Sequence, residues 1–234
     1  MFRCVVLAGG KGTRLKSVVN DIPKPLAPVC GVPFLSLLLN KLNSVGMRDV
    51  IISTGHLAHK ITDNFGPSFK NLNILYAHEE EALGTGGAIL NAVETYGLSE
   101  PFFLVNGDTF FDINYVKLEE EWRRQNCDIL MAVRKLKNAD RYGIVDGKDG
   151  IVLSFLANST ARGKLSNSGS YLISPSIFRK NHLPKKFSFE ADFIPKHLDK
   201  EVVRYLEFEG YFIDIGIPDD YTRAQLDFQN SEFL

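Results

Sequence analysis

A glycine-rich segment near the N-terminus, VVLAGGKGTRL at positions 5–15, combines residue types that suit phosphate binding. Gly9, Gly10 and Gly12 lack side chains, so backbone N–H groups can approach an oxyanion there. The cationic side chains of Lys11 and Arg14 could reach the same group. The segment is neither a Walker loop, which needs Ser or Thr after its lysine, nor a GxGxxG fingerprint, which needs a third glycine. It predicts a phosphate-binding loop of another kind, with a plain glycine turn as the alternative.

A lysine between two prolines follows at positions 23–25. The proline rings restrict the backbone on both sides of Lys24, so the lysine is presented from a stiff, extended segment. A cation held in this way suits a phosphate. A structural turn is the alternative for such a triplet taken alone.

A second glycine cluster, EEEALGTGGAI at positions 79–89, leads into a helical pattern. Its carboxylates argue against phosphate binding at the entrance of the loop. One of these carboxylates or a backbone carbonyl could instead accept a hydrogen bond from a nucleobase N–H, with Gly84 letting the base lie against the main chain. The segment predicts a base-binding turn, with an ordinary helix start as the alternative.

Two aspartates lie in apolar surroundings far apart in the chain. Asp108 falls just past the apolar run FFLVN, at the strand end where open α/β sheets gather ligands. Asp214 lies in YFIDIGI, where alternation places Phe212, Asp214 and Gly216 on one face of a strand. A buried carboxylate is costly unless it is paired or bound to a cation. Together the two predict a Mg²⁺ site completed by substrate phosphates and water, although each alone also fits a turn cap or a backbone acceptor.

The sequence lacks the motifs of zinc hydrolases and serine nucleophiles. Its five histidines form no HExxH, and no serine lies in a GxSxG elbow. These absences favour a reaction without a protein nucleophile. A phosphate monoester has a second pKa of about 6, so a sugar phosphate is already largely a dianionic nucleophile at neutral pH. Such chemistry needs position, cations and a metal rather than a strong general base.

The first half of the chain alternates strand and helix patterns. Apolar strand patterns lie at 4–8, 49–55, 73–79 and 102–108, and helical patterns lie between them at 33–46, 57–65 and 86–96. This alternation predicts βαβ units and a mostly parallel sheet.

The second half consists mostly of strand-like runs separated by Gly, Asp and Asn turns. These runs lie at 128–136, 143–156, 168–178, 202–210 and 211–217, with a hairpin turn at 147–150. They predict antiparallel strands and a lid-like subregion. A final helix is expected at 218–228, because Pro218 and two carboxylates stand in its first turn. No repeat or linker divides the chain, so a single domain is predicted over 1–234.

Composition limits the partners of the chain. The 234 residues carry a formal net charge of -1, which gives no global attraction to nucleic acid or to an anionic membrane. Cys4, Cys30 and Cys127 are widely spaced, form no CxxC pair and suggest neither a disulfide framework nor a zinc site. Reduced thiols and the lack of a run of about 18 apolar residues predict a soluble, cytoplasmic protein. Apolar helix faces occur in cores and in interfaces alike, so the sequence is compatible with a homo-oligomer.

Taken in order, the segments LAGGKGTRL, PKP, LGTGGA, NGDT and DIGIPDDY resemble those of the sugar-1-phosphate nucleotidylyltransferases, over about residues 3–228. Within that family, GTRLKSVVNDIPKPLAPV, NGDTFFDI and YFIDIGIPDDY are most similar to the D-glycero-α-D-manno-heptose 1-phosphate guanylyltransferases, which make GDP-heptose for bacterial surface polysaccharides. The resemblance implies an α/β, Rossmann-like nucleotidyltransferase fold, with a mixed, mostly parallel central sheet flanked by helices and a small antiparallel sugar-side subregion. It also implies a nucleotide-binding part at about 1–115 and a sugar-binding part at about 116–234.

The activity that the resemblance implies is transfer of a nucleotidyl group from an NTP to a sugar 1-phosphate, with Mg²⁺ as cofactor and pyrophosphate as second product. GTP and the heptose 1-phosphate are the implied substrates. The alternatives are a uridylyl-, thymidylyl- or mannose-1-phosphate guanylyl-transferase of the same fold, and a nucleotide-sugar sensor that binds without turnover.

The resemblance also implies roles for individual residues. Arg14, Lys24 and Asp108 would be catalytic, with Arg14 on the leaving phosphates and Lys24 near the reacting centre, and Asp108 and Asp214 would bind Mg²⁺. The implied nucleotide-binding positions are Leu7, Ala8, Gly9, Gly10, Lys11, Gly12, Thr13, Arg14, Glu79, Gly84, Thr85, Asn106 and Gly107. The implied sugar-phosphate positions are Lys24, Tyr142, Gly143, Asn167, Gly169 and Glu190.

One segment departs from the family pattern. The family commonly carries a Glu-Lys pair that contacts the sugar and its phosphate, and here Ala157 and Asn158 stand at those positions. Lys164 or Arg162, a few residues later, could supply the missing cation.

Overall fold

The structure, a computed structural model, describes residues 2–10, 12, 15, 21–135, 142–156, 165–229, 231 and 233. The strands are β1 (Cys4–Leu7), β2 (Pro28–Val29), β3 (Val32–Pro33), β4 (Asp49–Thr54), β5 (Ser68–Phe69), β6 (Leu72–His78), β7 (Phe102–Asn106), β8 (Thr109–Phe111), β9 (Ile129–Lys135), β10 (Ile144–Lys148), β11 (Ile151–Leu156), β12 (Leu165–Ile173), β13 (Val203–Glu207) and β14 (Phe212–Asp214). The α-helices are α1 (Phe34–Ser44), α2 (Ala58–Phe65), α3 (Gly84–Thr95), α4 (Tyr115–Arg124), α5 (Ser176–Lys180), α6 (Ile194–His197) and α7 (Pro218–Asp227). A 3₁₀ turn lies at Lys24–Leu26, and a π-helical turn at Phe189–Phe193 runs directly into α6.

Ten of the described strands form one sheet, in the order β10-β11-β13-β9-β12-β7-β1-β4-β6-β5. β1 pairs in parallel with β4 and β7, β4 pairs in parallel with β6, and β13 pairs in parallel with β9. Only β5, β11 and β12 of the ten run in the opposite direction, since each is antiparallel to its neighbours. The sheet is therefore mixed with most strands in one direction, and this part of the fold prediction is confirmed.

Helices cover both faces of this sheet. β1 is apolar on both sides, because Val6 packs in one core cluster and Val5 in another, as expected of a central parallel strand. The cluster around Val6 includes apolar residues of α1, α2 and α4, and the cluster around Val5 includes residues of α3 and of the turn that leads into α6. A third cluster joins α1 and α7 to the small β8–β14 sheet through Phe110 and Ile213. This third cluster holds the β8–β14 pair in place, and β8 follows directly after β7.

Most predicted elements are confirmed. The helical patterns at 33–46, 57–65 and 86–96 are α1, α2 and α3, and the final pattern at 218–228 is α7. The hairpin predicted at 147–150 joins β10 to β11. Asp149 and Gly150 form its tip with φ of 52° and 78°, the left-handed conformation that Asp-Gly turns adopt in tight hairpins.

Other predictions for the second half were wrong in their extent. The strand expected at 168–178 is β12, which ends at Ile173, and α5 begins soon after Pro175. The strand expected at 211–217 is only β14, and it pairs with β8 rather than with the central sheet. Neither α4 nor the helical stretch over 189–197 was predicted.

No helix among the described residues is both long and apolar enough to cross a membrane. Cys4, Cys30 and Cys127 are all free thiols.

Candidate active site

A cavity of about 410 Å³ opens where β1 and β7 end, at the edge of the sheet where open α/β folds bind ligands. Its described lining residues are Leu7, Ala8, Gly9, Gly10, Gly12, Lys24, Pro25, Glu79, Ala82, Gly84, Thr85, Ala88, Asn106, Asp108 and Gly216. The cavity therefore gathers most of the positions that the sequence indicates for a nucleotide. Lys11, Thr13 and Arg14 lie outside the described residues. Gly107 packs on β1 instead, donating its N–H to the Leu7 carbonyl at 2.9 Å.

The glycines of the first loop lie close to neighbouring protein atoms as well as bordering the cavity. A Cβ at Gly9 would lie 2.5 Å from Glu79 Oε1, so a side chain there would collide with a buried carboxylate. Gly12 has a φ of 57°, and a Cβ there would lie 3.1 Å from the Lys24 Cβ. Because these residues have no side chains, the backbone of the loop itself borders the cavity.

Glu79 is buried at the far wall of the cavity. Its Oε1 accepts a hydrogen bond from Ser53 Oγ at 3.0 Å, and its Oε2 accepts one from the Leu83 N–H at 3.2 Å. Each carboxylate oxygen can accept a second hydrogen bond, so Glu79 can hold the turn before α3 and still face a ligand N–H.

Lys24 lies between two carboxylates. Its Nζ donates to Asp108 Oδ2 and lies 3.4 Å from Asp214 Oδ1, and its side chain is only 10% exposed. Burial lowers the pKa of Lys24, but the charges of Asp108 and Asp214 raise that pKa more, so it lies above the ordinary value. The lysine therefore carries its positive charge at neutral pH.

The small β8–β14 sheet brings the two aspartates together. Thr109, the residue after Asp108, is the register partner of Asp214, and the Ile215 N–H donates to the Asp108 carbonyl at 3.1 Å. Asp214 Oδ1 also accepts from the Gly216 N–H at 2.7 Å. The two aspartates therefore meet through this small sheet and through Lys24.

Asp108 and Asp214 are the two carboxylates that converge on Lys24, and no group of three or more His, Cys, Asp or Glu suited to a metal occurs among the described residues. Two carboxylates that converge on one cation fit an ion that takes few protein ligands. Mg²⁺ is such an ion, because it usually keeps water and substrate phosphates in its coordination shell.

The second glycine cluster serves packing more than ligand approach. A Cβ at Gly84 would lie 2.5 Å from the Phe187 carbonyl oxygen, and one at Gly86 would overlap the Phe187 ring. The N–H groups at the start of α3 bond to the same segment, since Gly86 donates to the Phe187 carbonyl at 3.0 Å. Gly84 lines the cavity, but these glycines also let a segment from the second half of the chain dock on α3.

That docked segment connects predicted sugar-side positions to the cavity by a chain of hydrogen bonds. Thr85 Oγ1 donates to Glu190 Oε2 at 2.9 Å, and the hydroxyl of the fully buried Tyr171 donates to Glu190 Oε1 at 3.2 Å. Asn167 Nδ2 donates to the Tyr171 hydroxyl, and Asn167 Oδ1 accepts from the Gly169 N–H at 3.1 Å. A bulge in β12 between Asn167 and Ser170 turns this part of the strand, as bulges beside sites commonly do.

The other predicted sugar-side positions lie next to this chain of hydrogen bonds. The Gly143 carbonyl accepts from the Asn167 N–H at 2.8 Å, and the Tyr142 ring packs edge-on against Phe212 at 5.4 Å between centroids. Arg134 lies over the Phe212 ring at 3.7 Å, and burial lowers its pKa to about 10. Ala157, Asn158, Arg162 and Lys164 lie outside the described residues.

Several residues of the site were not predicted. Pro25, Ala82, Ala88 and Gly216 line the cavity, and Ser53 and Tyr171 hold the two glutamates. Gly216 had a signal in the sequence, because alternation placed it on the face of Asp214. Ser53 and Tyr171 had none, since each lies in a strand pattern and bonds to a residue distant in the chain.

Comparison with known proteins places this site in a family context. A family model described as Nucleotidyl transferase matches residues 3–231. D-glycero-alpha-D-manno-heptose 1-phosphate guanylyltransferase of Aneurinibacillus thermoaerophilus is 39% identical over 227 residues, covering 97% of this chain and 98% of that protein. The protein of the same name from Campylobacter jejuni subsp. jejuni serotype O:2 is 38% identical over 220 residues, with coverage of 94% and 96%.

Among solved structures, HddC from Yersinia pseudotuberculosis superposes with a TM-score of 0.86 at 38% identity, covering 98% of this chain and all of that one. A second structure of HddC is complexed with GMP-PN and superposes with a TM-score of 0.84 at 37% identity, with the same coverage.

Proposed function

The chain belongs to the nucleotidyl transferase family, and from that premise we propose that it transfers a guanylyl group from GTP to D-glycero-α-D-manno-heptose 1-phosphate and releases pyrophosphate. The names of its relatives and the GMP-PN complex of HddC support the choice of guanine and heptose. The observation that carries the chemistry is the convergence of Lys24, Asp108 and Asp214 beside a glycine-lined cavity.

The reaction is a direct displacement at phosphorus. An oxygen of the sugar 1-phosphate forms a bond to the α-phosphorus of GTP while the bond to the bridging oxygen of the β-phosphate breaks. Pyrophosphate takes the electron pair of that bond. No protein base is needed, because the attacking phosphate is already largely dianionic at neutral pH.

The glycine loop after β1 would receive the triphosphate. The backbone of Gly9, Gly10 and Gly12 borders the cavity without side chains, so N–H groups can approach phosphate oxygens. Arg14, as the sequence predicts, would neutralise the leaving pyrophosphate. Binding both phosphates of the leaving group holds the α-phosphorus in line with the incoming oxygen.

The base would lie against the turn before α3. Guanine presents N1–H and N2–H donors on one edge, and Glu79 has acceptor capacity left beyond its bonds to Ser53 and Leu83. Gly84 and Thr85 line the same wall. A carboxylate acceptor at this wall suits guanine, whose N1–H is a donor.

Lys24, Asp108 and Asp214 would act at the reacting centre. Asp108 and Asp214 would hold Mg²⁺, which supplies neutralisation of the phosphate charges when it is bound. Lys24 would donate to the α-phosphate or to the attacking phosphate, because its ammonium is charged and borders the cavity. These residues orient the groups and stabilise charge without forming a covalent intermediate.

The sugar would lie on the side formed by the second half of the chain. Glu190 accepts one hydrogen bond on each oxygen, which leaves acceptor sites for sugar hydroxyls. Tyr142, Gly143, Asn167 and Gly169 would border the same subsite. This proposal divides the single domain into a nucleotide part at about 1–115 and a sugar part at about 116–234. The cytoplasmic location and a homo-oligomer stay predictions of the sequence.

The test is pyrophosphate release over a matrix of substrates. The purified protein is mixed with Mg²⁺, one of GTP, ATP, UTP, CTP or dTTP, and one of the heptose, mannose or glucose 1-phosphates. We expect the highest kcat/KM with GTP and the heptose 1-phosphate, and no release when either substrate is omitted. If release is fastest with another substrate pair, the proposed substrates are wrong but the proposed type of reaction stands. No release from any pair, with nucleotide still bound, would support the sensor instead.

A further inference from the structure

Lys24 fills the point on which the two aspartates converge. Its Nζ donates to Asp108 Oδ2 and lies 3.4 Å from Asp214 Oδ1. The space around it is narrow, because a Cβ at Gly216 would lie 3.1 Å from Nζ and 2.8 Å from Asp214 Oδ1. The lysine side chain is more deeply buried than either carboxylate, at 10% exposure against 34% and 21%.

A divalent ion cannot share this position with the ammonium. Mg²⁺ binds oxygen at about 2.1 Å, so an ion held by both carboxylates would lie in the space that Nζ takes. A dication and an ammonium at contact distance also repel each other strongly in a partly buried site. The lysine must leave before the two aspartates can act as metal ligands.

The surroundings allow the side chain to leave while the backbone stays. Pro23 and Pro25 restrict the main chain on both sides, and Lys24 opens the 3₁₀ turn Lys24–Leu26. The four-carbon stem is flexible, and it passes Gly12, where a Cβ would come within 3.1 Å of it. Phosphates bound at the glycine loop would therefore offer the ammonium a new anionic partner within the same cavity.

We propose that Lys24 is a place-holding cation that pairs Asp108 with Asp214 in the nucleotide-free protein and excludes the divalent ion until nucleotide phosphates draw the ammonium away. The role rests on the proposed function, because it takes both aspartates as metal ligands. It makes metal binding depend on nucleotide binding. It also gives Lys24 one anionic partner before the reaction and another during it.

Mn²⁺ binding to the nucleotide-free protein tests this role without any turnover. The free Mn²⁺ signal is followed by electron paramagnetic resonance during titration of wild type, Lys24→Met and Lys24→Gln, each checked for folding by thermal unfolding. We expect both neutral variants to bind Mn²⁺ at least about tenfold more tightly than wild type, because the competing charge is gone. Lys24→Arg keeps the charge and should bind no tighter than wild type.

Lys41 supplies a matched control. Its Nζ pairs with Asp112 at 13% side-chain exposure, so Lys41→Met also removes a buried lysine from a carboxylate, away from the lining of the cavity. We expect Lys41→Met to leave Mn²⁺ affinity at the wild-type level. Adding Asp108→Asn to Lys24→Met should remove the gain and thereby locate the ion.

The outcomes separate this inference from the proposed function. If wild type releases pyrophosphate but the folded neutral variants bind Mn²⁺ no tighter than wild type, the place-holding role alone is wrong. If wild type releases none from any substrate pair, yet the neutral variants gain Mn²⁺ affinity that Asp108→Asn removes, the role stands and the proposed function is wrong. A gain in Lys41→Met equal to that in Lys24→Met would also overturn the role.

Discussion

Thr85 Oγ1 donates a hydrogen bond to Glu190 Oε2 at 2.9 Å, and the two residues come from different halves of the chain. Thr85 lies in the first turn of α3 and lines the cavity, whereas Glu190 lies in the π-helical turn Phe189–Phe193. The Phe189 N–H also donates to Thr85 Oγ1 at 2.8 Å. One hydroxyl thus joins the wall of the proposed nucleotide site to the carboxylate of the proposed sugar site.

Removing this hydroxyl should weaken sugar binding. Thr85→Val keeps the shape of the side chain but frees Glu190 Oε2, and a hydrogen bond to a charged group contributes about 1.5–3 kcal/mol. We expect the KM for the sugar 1-phosphate to rise by about tenfold in Thr85→Val and in Glu190→Gln, measured by pyrophosphate release. Thr85→Ser keeps the hydroxyl and should stay within about twofold of wild type.

The double variant decides whether the two residues act together. Coupled residues give a combined effect smaller than the product of the single effects. We expect Thr85→Val with Glu190→Gln to raise the KM little more than either change alone. If the KM of the double variant instead rises by the two single factors multiplied together, Thr85 acts independently of Glu190.

Gly86→Ala should destabilise the fold. The added Cβ would overlap the ring of Phe187, which is buried and packed near Phe193 at 6.4 Å between centroids, so the ring has little room to move. Overpacking of this kind costs about 2 kcal/mol, and the loss should appear in the free energy of unfolding by urea. Gly10→Ala is the control for stability, because nothing lies within 4 Å of a Cβ there. Equal stabilities of the two variants would contradict the packing role of Gly86.

Cys127 should make stability fall in alkaline solution. Burial raises the pKa of Cys127 to about 12, whereas the pKa of a thiol in the unfolded chain is about 8.5. Between these values the unfolded chain has lost the proton and the folded protein keeps it. The contribution of the protonated Cys127 thiol to the free energy of unfolding is therefore fully present below about pH 8.5 and is lost as pH rises toward 12.

The measurement is the free energy of unfolding from pH 8 to pH 10.5. We expect the Cys127→Ala profile to fall less steeply than the wild-type profile, by at most about one proton per molecule. Cys30→Ala removes the half-buried thiol and serves as the control. Parallel profiles for wild type and Cys127→Ala would show that the buried thiol does not contribute.

Asp108→Asn should lower kcat strongly in a protein that still folds. The amide keeps the size of the side chain but removes the charge that pairs with Lys24 and that would hold the metal. Removal of one group that stabilises the transition state, such as an oxyanion-hole donor, typically costs about 10²–10³ in kcat, and we expect a loss of at least this size. Asp112→Asn is the control, because Asp112 pairs with Lys41 and does not line the cavity. Turnover of Asp108→Asn near the wild-type level would refute the metal role.

The parts of the fold that depend on local pattern could be predicted from the sequence. β1 is a short apolar run that ends in glycines, and α1 begins just after Pro33 and ends before Gly46, so periodicity and end signals were sufficient. α4 was missed although it carries such signals, since Asn114 caps it by accepting from the Lys117 N–H and Trp122 packs in the core. The many charged residues of α4 make its apolar stripe difficult to recognise in the sequence.

The parts that depend on distant partners could not be predicted. The glycines in the first turn of α3 are needed because Phe187, about a hundred positions later in the chain, packs on them, and no local pattern in the sequence indicates that partner. The same holds for Lys24, whose neighbours Asp108 and Asp214 were expected to share a metal but not a lysine. The pairing of β14 with β8 could not be predicted either, because the alternation of a strand is the same whichever strand it pairs with.

Direct displacement of pyrophosphate by the sugar phosphate fixes the product stoichiometry at one pyrophosphate for each nucleotide sugar. Wild type is incubated with GTP, the heptose 1-phosphate and Mg²⁺, and pyrophosphate and GDP-heptose are quantified together by ³¹P nuclear magnetic resonance. We expect equal amounts of the two products, none when either substrate is omitted, and a loss of both in Asp108→Asn. GDP with free phosphate, or pyrophosphate formed without the sugar phosphate, would contradict the claim.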